Sequence, residues 1–221
     1  MEILFEDDSI LVINKPPGLL SIRDGYIKDL PTVKSLLEAD FGRCFMVHRL
    51  DKDTSGIMLV ARTQNAHRKL NLDFQNRQIY KIYHAILSRI PEQNEFMIDL
   101  PLRINGDRKH RTVVDVINGK PANTLISIIE TYQNNALVMA KPFTGYTHQI
   151  RSHLSFSGYT ILGDKLYGSP RKVLEETNGI QIERTALHAF QISFAHPETN
   201  NPLTLTAGYP PDFSHELSSL K

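Results

Sequence analysis

The run "GIMLVAR" at 56–62 constrains the fold of this chain more than any other stretch. Continuous apolar sequence without alternation suits a β-strand buried on both faces, and so a sheet covered on both sides. Directly before it stands "HRLDKDTSG", 48–56, which packs two basic groups, two carboxylates and a Thr-Ser-Gly turn into one segment. Charge of that density beside a strand that must be buried is awkward for a structural loop. Asp53 and Thr54 suit a turn capped by its own side chains. Asp51, behind His48 and Arg49, could cap a turn in the same way but fits that task less well, and its place asks for an explanation.

Strand patterns dominate the rest. "EILFE" and "SILVINK" flank Asp7-Asp8 as an opening hairpin, and "TLISIIE" and "ALVMAKP" surround Asn134-Asn135 as another. In "IYKIYHAIL", Lys81, Tyr83 and Ala85 share one face, with Tyr80, Ile82 and Ile86 on the other. "LHAFQISFAHP" and "NPLTLTAGYP" read as the closing strands. Three helices are expected. One follows Thr63 as N-cap, with Ala66, Leu70 and Phe74 one turn apart, and another is "TVKSLLEADFG". The third is "THQIRSHLSFSG", with Thr147 as N-cap, Ile150 and Leu154 inward and Gly158 as the stop. Strands outnumber helices and do not alternate with them. The expected class is α+β, a mixed, mostly antiparallel central sheet with flanking helices.

The length of 221 residues suffices for one substantial core, so residues 1–221 are expected to form a single domain and to act as a monomer. No apolar run reaches membrane-spanning length, and "MEILFEDDS" lacks the basic start of a signal peptide. The lone cysteine, Cys44, agrees with a reducing, cytoplasmic setting. Net charge is only +1, but its distribution is uneven. Arg103 to Lys120 carries five Lys/Arg against two Asp, and Lys141 to Lys172 carries five against Asp164 alone. Two such stretches suit either solvated loops or a face that meets phosphates.

Several chemistries lack their usual signatures. His148 and His153 are separated by about 140° on a helix, and no His-Glu-x-x-His or cysteine pair occurs, so no metal is expected. No phosphate-binding glycine loop and no Gly-x-Ser-x-Gly is present, so no nucleotide cofactor and no serine hydrolase is expected. Arg151 sits in a helix whose Ile150 and Leu154 face the core, and an Arg at that boundary normally has a carboxylate partner. What remains is cofactor-free chemistry by carboxylate, arginine and tyrosine.

"HRLDKDTSGIMLVA" closely resembles the motif that carries the catalytic aspartate in pseudouridine synthases of the RluA type. The resemblance continues in "NKPPGL" (14–19), "KIYHA" (81–85), "NGKPANT" (118–124), "TGYTHQIRSHL" (144–154), "GDKLYG" (163–168) and "LHA…F.HP" (187–197). Taken in this order and spacing, the motifs are jointly very specific. The resemblance implies that Asp51 is the nucleophile, that Tyr83 stacks on the target base, and that Arg151 pairs with Asp51. It further implies that Arg49 fills the space of an extruded base and that Ile150 belongs to an apolar wall. His48, Lys81, Thr147 and His148, in the same motifs, would contact substrate. Arg103, Arg108, Lys109, Arg111 and Lys120 would grip the RNA backbone from a hairpin.

The implied activity is isomerisation of uridine to pseudouridine in a transfer or ribosomal RNA stem-loop. The resemblance departs at Tyr146, where the family usually has Arg, and the first core strand starts too early to leave room for an N-terminal S4 domain. Two other functions compete. A catalytically inactive RNA-binding protein would explain the basic stretches but not Asp51, Tyr83 and Arg151 together. A glycosylase would ordinarily need a second placed carboxylate, for which Asp53 is the only local candidate.

Overall fold

In the computed structural model, which describes residues 1–23, 30–168 and 182–221, the opening hairpin forms as expected from Glu2–Glu6 (β1) and Ile10–Lys15 (β2). Asp7 makes its turn by accepting the N–H groups of Ser9 and Ile10, both at 2.8 Å. The end of the Lys141–Lys172 stretch lies outside the described residues. The chain divides into two compact units, Met1–Lys81 with Ala189–Pro210, and Ile82–His188 with Pro211–Lys221.

In the first unit the strand order is β1-β2-β4-β11, where β4 is Ser55–Ala61 and β11 is Leu187–Ala195, whose last seven residues belong here. Pro202–Thr206 (β12) pairs with β11, and the two-residue Phe45–Met46 (β3) pairs with the end of β4. Every residue of β4 is buried, as its unbroken apolar sequence requires. Gly56, second in the strand, has φ 110°. A Cβ there would stand 2.2 Å from the Ala189 carbonyl oxygen, so only glycine lets β4 approach β11. Val33–Phe41 (α1) starts in a capping box in which Thr32 and Ser35 exchange backbone bonds of 2.9 and 3.0 Å. Gln64–Gln75 (α2) is capped by Thr63 and buries Ala66 and Leu70, both as expected.

The second unit is built on the order β5-β10-β9-β6, with β5 at Tyr80–Leu87 (entering this unit at Ile82), β6 at Glu95–Asp99, β9 at Asn123–Thr131 and β10 at Ala136–Pro142. All pairings in this order are antiparallel, and β9–β10 is the hairpin expected around Asn134-Asn135. Leu102–Arg103 (β7) and Val113–Val114 (β8) form a separate short ladder. Gln149–Phe156 (α3) buries Ile150 and Leu154.

Two corrections concern helices. Thr147 does not cap α3. His148 takes the N-cap position in left-handed conformation (φ 55°) and gives no side-chain cap bond. Gln149 organises the start instead, accepting from Thr144 Oγ1 at 2.7 Å and donating to the Asn123 carbonyl and Thr124 Oγ1 at 3.0 Å. A further helix, Pro211–Ser219 (α4), was not expected from the sequence; it buries Phe213 and Glu216. The α+β class and the mixed, largely antiparallel sheet are as the sequence indicated.

Candidate active site

The loop that carries Asp51 is fixed on both sides of that residue by "NKPPGLLS". The preceding residue, Leu50, donates its N–H to Ser21 Oγ (3.1 Å) and accepts the Ser21 hydroxyl proton on its carbonyl (2.7 Å). The Lys52 carbonyl accepts from the Gly18 N–H at 2.9 Å and from Lys15 Nζ at 3.0 Å. Lys15 Nζ also donates to the carbonyls of Pro16 (2.9 Å) and Leu19 (2.8 Å), and the whole side chain is 0 % exposed. A buried lysine must have its donors satisfied, and three carbonyls at one ammonium form a charge-assisted knot. The Thr54 N–H closes the turn on the Asp51 carbonyl at 3.2 Å. Asp51 is therefore partly exposed on a backbone with little freedom, while Asp53 and Arg49 are exposed.

His48 is held inside the first unit. Its Nε2 accepts the Leu59 N–H at 2.9 Å, next to the two β4 residues that the short β3 covers. Its ring lies 5.0 Å from that of Phe74, and the Lys81 ammonium stands 5.7 Å from the same Phe74 ring. Burial, helped by the nearby Lys81 charge, pushes the imidazole pKa down to about 3. The ring is thus neutral near pH 7, with Nε2 an acceptor and the proton on Nδ1. Burial also pushes the Lys81 ammonium below its ordinary range. His48 and Lys81, two expected substrate contacts, thus share one aromatic neighbour.

In the second unit Tyr83 lies on β5 opposite Ala140 and is partly exposed, whereas His84 beside it is buried. Arg151 is 9 % exposed and finds its carboxylate in Asp164, with Nε to Oδ2 at 2.7 Å and Nη2 to Oδ1 at 2.8 Å. Asp164 Oδ1 also accepts the N–H groups of Leu166 and Tyr167. The Tyr167 ring lies 5.1 Å from the Arg151 guanidinium carbon. Tyr167 Oη in turn accepts the Thr112 N–H at 2.9 Å and sits 3.1 Å from His148 Nδ1. The Thr147 side chain is exposed, and its carbonyl accepts from Thr112 Oγ1 at 2.7 Å.

Asp164, Tyr167, Lys15 and Ser21 had no assigned role in the sequence. The sequence asked for a carboxylate beside Arg151 and named Asp51; it did not identify Asp164, which the structure places there. "GDKLYG" gives no local sign of which helix it meets.

The basic hairpin exists, but its charges are not equivalent. Arg103 pairs with Asp115 at 2.7 Å and Arg111 with Asp107 at 2.7 Å. Arg111 also donates to the Leu166 carbonyl. Arg108, Lys109 and Lys120 are exposed. Arg103 faces Val113, and Lys120 joins Leu102 through a single bridge. Among the described residues no three His, Cys, Asp or Glu side chains gather as a metal site, and no helix is long and apolar enough to cross a membrane.

Residues 9–156 match the family model for RNA pseudouridylate synthase. A dual-specificity RNA pseudouridine synthase RluA from Escherichia coli K12 is 37% identical over 212 residues, covering 96% of this chain and 93% of that protein. Ribosomal large subunit pseudouridine synthase C of Pasteurella multocida is 36% identical over 223 residues, covering 100% and 68%. Among solved structures, human RNA pseudouridylate synthase domain containing 4 superposes with a TM-score of 0.81 at 27% identity, over 99% of this chain and 92% of that one.

Proposed function

Given that this chain belongs to the RNA pseudouridylate synthase family, as an enzyme of the RluA type that isomerises uridine in RNA, we propose that Asp51 is its nucleophile and a transfer or ribosomal RNA stem-loop its substrate. The observation that supports this most is the double pinning of the Asp51 backbone by Lys15, Gly18 and Ser21. An attacking carboxylate must be held where the reacting carbon will be, and misplacement is costly in rate.

The reaction breaks the C1′–N1 bond of uridine, turns the uracil and joins its C5 to C1′. Nothing is oxidised and no water is consumed. An ionised carboxylate can attack C1′ or C6 covalently, and the C5 proton is lost at the end. Tyr83 stacks on the base and excludes water that would otherwise carry the detached uracil away. Arg151 is the ion-pair partner of the Asp51 carboxylate. Asp164 supports that role, because its two oxygens accept from Nε and Nη2 and fix the plane of the guanidinium. Ile150 belongs to the apolar wall, and Arg49 takes the place of the extruded base, whose unstacking costs a few kcal/mol. His48, Lys81, Thr147 and His148 complete the substrate contacts. Residues 1–221 work as one catalytic domain and as a monomer. The buried Cys44 thiol suits a reducing cytoplasm.

Tritium release from RNA labelled at uridine C5 tests the assignment. Asp51→Ala and Asp51→Asn should release none while still binding RNA. Turnover by Asp51→Ala within about tenfold of the wild type, a barrier change of only about 1.4 kcal/mol, would remove Asp51 from the role. Release of free uracil would instead mark a glycosylase.

A further inference from the structure

Of the large apolar side chains described, Val116 and Ile117 are the most exposed, at 76 % and 86 %. They are adjacent, and the turn that carries them is built rather than loose. Asp115 Oδ1 accepts the N–H groups of Ile117 (3.1 Å) and Asn118 (2.9 Å), while Oδ2 pairs with Arg103. The Gly119 N–H closes on the Asp115 carbonyl at 2.8 Å. A Cβ at Gly119 would stand 2.3 Å from that oxygen and 2.8 Å from the Pro101 carbonyl carbon, so the closure requires glycine. Both ends are stapled to neighbouring backbone, Asp115 N–H to Pro101 O at 3.0 Å and Lys120 to Leu102 in both directions at 2.8 and 2.9 Å.

Exposed valine and isoleucine are unfavourable in water, and a rigid turn leaves them no way to fold back. Their surroundings narrow what covers them. Lys120 is exposed at the end of the turn, and Arg108 and Lys109 are exposed on the loop at the other end of the β7–β8 ladder. One exposed cation at the apolar tip, with two more on the far end of the same short ladder, suits a polyanion. Two side chains also fall far short of the ~800 Å² per partner of a stable protein interface. An apolar wedge between stacked bases, by contrast, needs only one or two residues. The ladder's root is tied at Thr112 to Tyr167, the residue that packs on Arg151.

We propose that Val116 and Ile117 form an apolar wedge that enters the base stack of a folded RNA substrate and opens it, with Lys120 on a flanking phosphate and Arg108 and Lys109 on phosphates further along the backbone. This rests on the functional reading above, since a uridine in a folded RNA must leave its stack before it can react.

The test uses the full chain and two probes. One is an RNA stem-loop with 2-aminopurine next to a uridine in the stem; the other is a single strand of the same composition that cannot fold. Wild type should bind the stem-loop with a rise in 2-aminopurine fluorescence, the sign of unstacking. Val116→Ser/Ile117→Ser, confined to exposed side chains, should lose that rise and bind the stem-loop about tenfold more weakly, a single decade of affinity, with unchanged affinity for the single strand. An unchanged rise in the variant, no rise in the wild type, or equal weakening on both probes would overturn the wedge. So would gel filtration in which wild type is a dimer and the variant a monomer, which assigns the tip to a second copy. A wild type that unstacks the stem-loop yet releases no tritium from any C5-labelled RNA would leave the wedge standing and sink the isomerase assignment instead. Failure to bind either probe would end both.

Discussion

Lys15 illustrates how much one residue of the candidate site does without touching substrate. Its ammonium is shared by three carbonyls, one of them on Lys52 next to Asp51. Lys15→Met keeps the apolar stem but leaves those carbonyls short of a donor, at about 1–3 kcal/mol for a buried polar group left unsatisfied. Urea unfolding should show a loss of roughly 3 kcal/mol, and the surviving enzyme should lose kcat while RNA affinity stays near wild type. An unchanged kcat would free Asp51 from this support. Arg151→Met breaks the buried pair with Asp164 from one side, expected to cost about 3–5 kcal/mol. Arg151→Lys keeps the charge but not the fork that spans both carboxylate oxygens, and should recover only part of the loss in the same unfolding measurement.

The His48 imidazole gives a pH prediction at the same scale. Its folded pKa is pushed to about 3 and that of buried His84 to about 4, each chiefly by burial, against an ordinary value near 6.5. Between those values the unfolded chain holds protons that the folded chain does not, so stability is complete above about pH 6.5 and falls as pH drops toward 4. Unfolding free energy followed against pH should show this slope, and His48→Gln should make it shallower by up to one proton. An identical slope in the variant would mean that His48 is not buried neutral.

At the scale of elements, the clearest sequence signals were the local ones. Thr63 caps its helix through a bond three residues away, and "GIMLVA" suits a covered strand. The start of α3 was misread because Thr147 has the right residue type, while the actual organiser, Gln149, works through Asn123 and Thr124 on β9. No local pattern reports that partner. The helix α4 was missed because "PDFSHELSS" is short and polar and buries only Phe213 and Glu216.

Ion pairs inside the basic hairpin also change which residues can be tested. Arg103 and Arg111 shape the loop through Asp115 and Asp107, so replacing them confounds folding with binding. Arg108→Ala/Lys109→Ala/Lys120→Ala removes only exposed charge. RNA affinity should fall for every sequence tested, and the log–log salt slope should become shallower by roughly 0.7–0.9 for each phosphate the variant no longer neutralises. An unchanged slope would make the hairpin a solvated loop.

For the molecule as a whole, the class and family were legible because they rest on many short motifs in a fixed order, which a sequence displays directly. The family match at 9–156 agrees with that order. Less legible was what lies beneath each motif. Arg151 needed a carboxylate, and Asp164 supplies it from 13 residues further along the chain. The knot around Lys15 joins positions 37 residues apart in sequence. Such partners are fixed by tertiary packing, and residue type alone does not select among the available carboxylates and carbonyls.

The central claim is that Asp51 converts a particular uridine of cellular RNA. Pseudouridine mapping of total RNA from cells lacking this protein, complemented with wild type or with Asp51→Ala, tests it most directly. The account predicts at least one pseudouridine that disappears in the deletion, returns with wild type and stays absent with Asp51→Ala, although that variant is folded and abundant. Restoration of the site by Asp51→Ala, or a map that does not change in the deletion, would contradict it.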